Sequence, residues 1–80
     1  MEKRVAVLAI IVQNRDSIGT VNTLLHDYAE HIIGRMGLPH REKNMNIISV
    51  ILDAPGDAIN ALSGKMGRLP GVSAKTLYSV

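Results

Sequence analysis

Three histidines, His26, His31 and His40, carry the imidazoles with which this chain could hold a metal or move a proton. His26 and His31 stand five residues apart on a helical stretch, so they do not stack on one face as an i, i+4 metal pair would. The chain has no cysteine, and no carboxylate stands where it would complete a ligand set. The histidines therefore read as surface residues, and neither a metal nor a cofactor is expected. No thiol nucleophile exists, and no serine sits in a nucleophile elbow, so no catalytic residue is expected either. Gly64-Lys65-Met66-Gly67 echoes a phosphate-binding loop. It lacks the upstream glycine and the following Ser or Thr, and it ends a helix rather than opening one. The dipole disfavours anions there, so its glycines read as close packing and a C-cap.

Two segments could meet an anion. Asn14, Arg15, Asp16 and Ser17 join the first strand to the N-terminus of the first helix. Free N–H groups and the positive dipole end gather at such a turn, so a carboxylate or similar small ligand could bind. Capping by Asp16 or Ser17 accounts for the same residues, since every helix leaves orphan donors. The second segment holds Arg35, His40, Arg41 and Lys43, which could touch an anion or nucleic acid from a hairpin loop. Glu42 stands among them and weakens the field. Operator contact through these residues would appear as a steep salt dependence of binding. The net charge is +2, with acids and bases interspersed. That is not the clustered basic face of a nucleic-acid footprint. With Tyr28 and Tyr78 as its only Phe, Trp or Tyr residues, the chain also lacks a platform for stacking bases.

The elements that must position these residues follow from hydrophobic spacing. Residues 5–12, Val-Ala-Val-Leu-Ala-Ile-Ile-Val, are apolar at every position. Side chains alternate across a strand, so Val5, Val7, Ala9 and Ile11 face one way, and Ala6, Leu8, Ile10 and Val12 the other. A strand of this kind is covered on both faces. The first strand takes residues 3–13. Ile18, Val21, Leu24, Leu25, Tyr28 and Ile32 then recur at helical spacing, which predicts an amphipathic helix over roughly 16–31. Residues 32–36 read as a short strand that Gly37-Leu38-Pro39 ends, because proline cannot donate to a central ladder. Residues 40–44 read as a loop, and 45–53 as the second long strand. In it Ile48, Val50 and Leu52 form one face, and Met45, Ile47, Ser49 and Ile51 the other. Asp53 to Asp57 turns the chain and caps a second helix, which buries Ala58, Ile59, Leu62 and Met66 and ends by Gly67. Alternation over 72–80 predicts a last strand.

This order, β-α-β-β-α-β, is the ferredoxin-like α+β arrangement: a four-stranded antiparallel sheet with two helices on one face. Both long strands should be central. The helices cover one face only, so a second copy or a partner should cover the other. Val5, Val7, Ala9, Ile11, Met45 and Ile47 are the expected contact residues.

Eighty residues make one domain, 1–80. A domain of this size buries only about 60–65% of its unfolded surface. Ordering costs roughly 1.5 kcal/mol per residue, nearly all that apolar burial returns. Disulfides and thiolate metal sites are excluded, so self-association is the remaining common route to stability. The cysteine-free composition fits the cytoplasm. Met1-Glu2-Lys3-Arg4 before an apolar run resembles a secretory signal. However, the run is short and no small-residue cleavage site precedes Gln13, so none is expected. No stretch approaches the roughly 18 apolar residues of a membrane helix.

Several runs resemble an ACT-type regulatory domain and, more closely, the family of iron-only hydrogenase system regulators. They are Arg4 to Val12, Val21-Asn22-x-Leu24-Leu25-His26, Arg35-Met36-Gly37-x-Pro39-x-Arg41-Glu42, Ala61-Leu62-Ser63-Gly64-Lys65-Met66-Gly67 and Gly71-Val72. The resemblance spans essentially the whole chain. It implies a regulatory role tied to an iron-only hydrogenase system, exercised on transcription. It also implies a homodimer or homotetramer. ACT-like domains typically bind amino acids near the first strand–helix turn, which here is Asn14 to Ser17. The regulatory domain of nickel-responsive repressors is similar in fold, but residues 32–36 hold none of its histidines and residues 45–53 no cysteine. Nickel binding is therefore not implied. Two further readings stand beside a ligand-sensing regulator: an interaction subunit that lends its open sheet face to a DNA-binding protein or a hydrogenase maturation factor, and direct operator binding.

Overall fold

The computed structural model describes residues 2–79. Strand β1 (Lys3–Val12) leads into helix α1 (Ile18–Asp27), then strands β2 (Ile32–His40) and β3 (Met45–Pro55), helix α2 (Gly56–Gly67) and strand β4 (Val72–Tyr78). The sheet runs in the order β2-β3-β1-β4, with every neighbouring pair antiparallel. This is the expected ferredoxin-like arrangement, with β1 and β3 central. Met1 and Val80, read above as part of a signal-like start and of the last strand, lie outside the described residues.

One side of the sheet makes the core. Ala6, Leu8, Ile10 and Val12 of β1 join Val50, Leu52 and Ala54 of β3 there. Val21 and Leu25 of α1 and Ile59, Leu62 and Met66 of α2 close over them. The 3.6-residue stripe of each helix thus meets the even-numbered set of β1.

Three boundaries differ from expectation. Proline does not end β2 at residue 36, because β2 is an edge strand: Pro39 stays paired opposite Asn46, and an edge has one side on which no N–H is needed. Helix α1 is shorter than residues 16–31. Single 3-10 turns, Arg15–Ser17 and Ala29–His31, flank it, and Tyr28 leaves the helical region at φ −103° and ψ 14°. Strand β3 runs on to Pro55, which faces Lys3. Asp57 consequently falls inside α2, where its carboxylate accepts from the Ala58 N–H at 3.0 Å. In the β2–β3 connection, residues 41–43 form a 3-10 turn, and Asn44 takes the left-handed conformation at φ 53°.

Both tyrosines are engaged by cations. Arg4 lies 3.9 Å above the Tyr78 ring, and the Tyr78 hydroxyl donates to Asn60. Lys65 donates to the Tyr28 hydroxyl at 2.9 Å, tying α2 to the end of α1. The lysine of the Gly64–Gly67 stretch therefore serves a helix–helix tether.

Thr76 stands opposite Leu8 on the core side of β4, and its hydroxyl oxygen is buried without a hydrogen-bond partner. An unpaired buried hydroxyl is unfavourable, and an apolar group of the same shape removes the cost. Thr76→Val is expected to raise stability by about 1 kcal/mol. A urea midpoint that moves up at unchanged slope is the expected reading; a lower midpoint would contradict it.

Candidate functional site

The far side of the sheet is apolar and open. Paired residues of an antiparallel sheet share a face. Val7 lies between Ile51 and Leu77, Ile11 between Ile47 and Ser73, and Ala9 between Ser49 and Lys75. Leu38 continues the row beside Ile47, and Met36 lies beside Ser49. Of the six expected contact residues, Val5, Val7, Ala9, Ile11 and Ile47 are exposed, and Met45 is half-buried. The sequence reading left Met36, Leu38 and Leu77 out of this set, yet they are 71%, 60% and 72% exposed. Met36 and Leu38 alternate with Arg35 and Gly37, a pattern that counts only because β2 runs past Pro39 to His40.

The edges of this sheet are poor sites for strand addition. Strand β2 carries a bulge between Ile32 and Gly34, and Pro39 removes a donor. Strand β4 places Lys75 at the other edge. The face is thus the better route to association.

The turn after β1 is largely satisfied by its own chain. Asn14, rather than Asp16 or Ser17, supplies the cap: its side-chain oxygen accepts from the Asp16 N–H at 3.0 Å. Its carbonyl accepts from the Ser17 N–H, also at 3.0 Å. The Ser17 side chain makes no cap and is buried, donating to the Pro70 carbonyl at 2.7 Å. Gln13 N–H donates to the Gly71 carbonyl at 2.7 Å. Two distant turns are therefore spliced together.

Of the four turn residues, Arg15 lines a cleft. It does so with His40, Arg41 and Asn44, around about 340 Å³. The two basic segments read separately from sequence thus converge in space. Arg35 does not join them. It pairs with Val50 on the helix side of β2 and lines a different cavity of about 230 Å³, between α1 and β2. Lys43 is exposed on the 3-10 turn and lines neither. His26 lies exposed on α1, and His31 sits 3.8 Å from its neighbour Glu30. Among the described residues, no three His, Asp or Glu side chains form a metal-ligating group, and no helix is long and apolar enough to cross a membrane.

Residues 4–76 match the TM1266-like family model, described as "Iron-only hydrogenase system regulator, putative". No curated protein matches the chain. The structure is similar to that of the uncharacterized protein TM1266 from Thermotoga maritima, with a TM-score of 0.95 and 44% identity, covering 99% of this chain and 100% of that one. It is similar in fold to the C-terminal domain of the MgtC protein from Mycobacterium tuberculosis, with a TM-score of 0.70 at 12% identity, covering 96% of this chain and 88% of that one. A formyltetrahydrofolate deformylase from Pseudomonas putida KT2440 shares the fold over 91% of this chain and 28% of its own, at TM-score 0.65 and 14% identity.

Proposed function

The chain belongs to the TM1266-like family of iron-only hydrogenase system regulators, and from that premise we propose that it is a non-enzymatic regulatory module that works as a homo-oligomer. The observation that carries this reading is the open sheet face, where Val5, Val7, Ile11, Ile47, Ile51 and Leu77 form one apolar surface. Contiguous apolar surface of this kind marks an interaction site on a small domain. A second copy fits it because a twofold contact lays the same apolar patch against itself.

The regulatory output of this module is transcriptional and passes through a DNA-binding or maturation partner. Its cations support that route: Arg35 is separated from Arg15 and Arg41, and Arg4 and Lys65 are committed to tyrosines. A scattered set of this kind makes a weak phosphate footprint. A cytoplasmic location, which the cysteine-free composition fits, is part of this reading. An effector bound to the subunit would give the oligomer its input.

The test is the solution mass by light scattering at low and high salt. A dimer or tetramer of the 8.7 kDa chain, unchanged at high salt, is expected, because salt screens charge pairs and leaves apolar contact intact. A monomer at both salts would overturn self-assembly and turn attention to a different chain as the cover of the face.

A further inference from the structure

We propose that the cleft between α1 and β2 binds a small organic anion with an apolar body. It lies on the helix side of the sheet, away from the open face, and one chain supplies every wall.

The cleft arises from unequal lengths. Helix α1 has 10 residues and β2 has 9. At about 1.5 Å per helical residue and 3.3 Å per strand residue, the strand outruns its cover. Gly37 sits opposite Ile48 on the helix side, and a Cβ placed on it would touch nothing within 4 Å. The missing side chain keeps the space open. Ile18, Val21, Leu25 and Ile48 make its apolar walls. At about 230 Å³ it is smaller than the roughly 300–1,000 Å³ of drug-sized sites, which selects a small guest.

The polar groups set the sign of that guest. Arg35 lines the cavity, and no acidic residue does. Among the described residues, no carboxylate lies within salt-bridge distance of the Arg35 guanidinium. Ile18, Pro39 and Asn46 also line the neighbouring cleft, where Arg15, His40 and Arg41 stand, again without an acid. An apolar pocket with one guanidinium in its lining, no acid, and two further guanidiniums in the adjoining cleft favours a carboxylate-type anion. A guanidinium holds such a group through two parallel hydrogen bonds.

Amide NMR spectra of the full chain, titrated with sodium hexanoate, test this. Saturable shifts are expected at Asn22, Arg35, Gly37 and Ile48, with none on Val7 or Leu77 of the open face. Hexanamide and inorganic phosphate, which lack the charge and the apolar body respectively, should each bind about tenfold or more weakly than hexanoate. Arg35→Gln should weaken hexanoate by a similar factor. Gly37→Val should fill the cavity and abolish saturation while its spectrum stays that of a folded protein. Equal binding of hexanoate and hexanamide, full binding by a folded Gly37→Val protein, or shifts that never saturate would each overturn the proposal. None of these outcomes touches the oligomer's mass, so ligand binding and self-assembly fail separately.

Discussion

Replacing Gly71 with alanine is expected to destabilise the domain by about 3 kcal/mol, the sum of two costs. Gly71 has φ +68°, a left-handed conformation that costs an L-residue roughly 1–2 kcal/mol. Its new methyl would also stand 2.6 Å from the Asn14 Cβ and 2.9 Å from the Asn14 backbone nitrogen. Overpacking against a fixed neighbour typically adds about 1–3 kcal/mol. Asn14 has little room to yield, because its side chain and carbonyl already hold the Asp16 and Ser17 N–H groups. Ser17 and Gln13 in turn bond Pro70 and Gly71. Thermal melts at one protein concentration check the effect: a fall of about 15 °C is expected for a domain this size. Gly64→Ala is the contrast. That position lies inside α2 with nothing within 4 Å, so alanine should be neutral or gain about 0.5–1 kcal/mol. Equal melts for Gly71→Ala and wild type would show that the two turns are not locked together.

Ile11→Lys is expected to convert the oligomer to an 8.7 kDa monomer. Ile11 is 39% exposed on the open face, flanked by Ile47 and Ser73. The folded subunit tolerates lysine there, since the long stem covers apolar surface while the ammonium reaches water. Burial against a second sheet removes that water, and an unpaired buried charge costs several kcal/mol. A twofold interface would pay it in both subunits. Ala9→Lys should act in the same direction, with an added like-charge contact because Lys75 lies directly across from it. Light scattering on both variants, beside Glu42→Lys on the distant 3-10 turn, gives the result. Unchanged mass in Ile11→Lys and Ala9→Lys together would mean that this face is not where subunits meet.

How far the sequence could be read is clearest at the strands. The alternation in residues 5–12 assigned Ala6, Leu8, Ile10 and Val12 to a separate face from Val5, Val7, Ala9 and Ile11, and only the first set is buried in the core. Strand β2 was harder, because Pro39 reads as a stop until the strand is known to lie at an edge. Edge position is a property of the assembled sheet and leaves no local mark. The turn at Asn14 to Ser17 was legible as a turn. Which residue caps it depended on where Pro70 waits to take the Ser17 hydroxyl.

What the sequence determined by itself was local: the order of elements, the two-sided apolarity of β1, the lack of any thiol and the absence of base-stacking aromatics in the two central strands. These follow from side-chain period and residue chemistry, which neighbours along the chain supply. What the tertiary structure alone decided was non-local. Antiparallel registers of β2 on β3 and of β1 on β4 moved Arg35 to the helix side and gathered Met36, Leu38 and Leu77 on the open face. Packing of the hairpin beside the first turn brought Arg15 to His40 and Arg41. Each is a meeting of segments far apart in sequence, set by pairing and by burial of the shared core, which no spacing within one segment encodes.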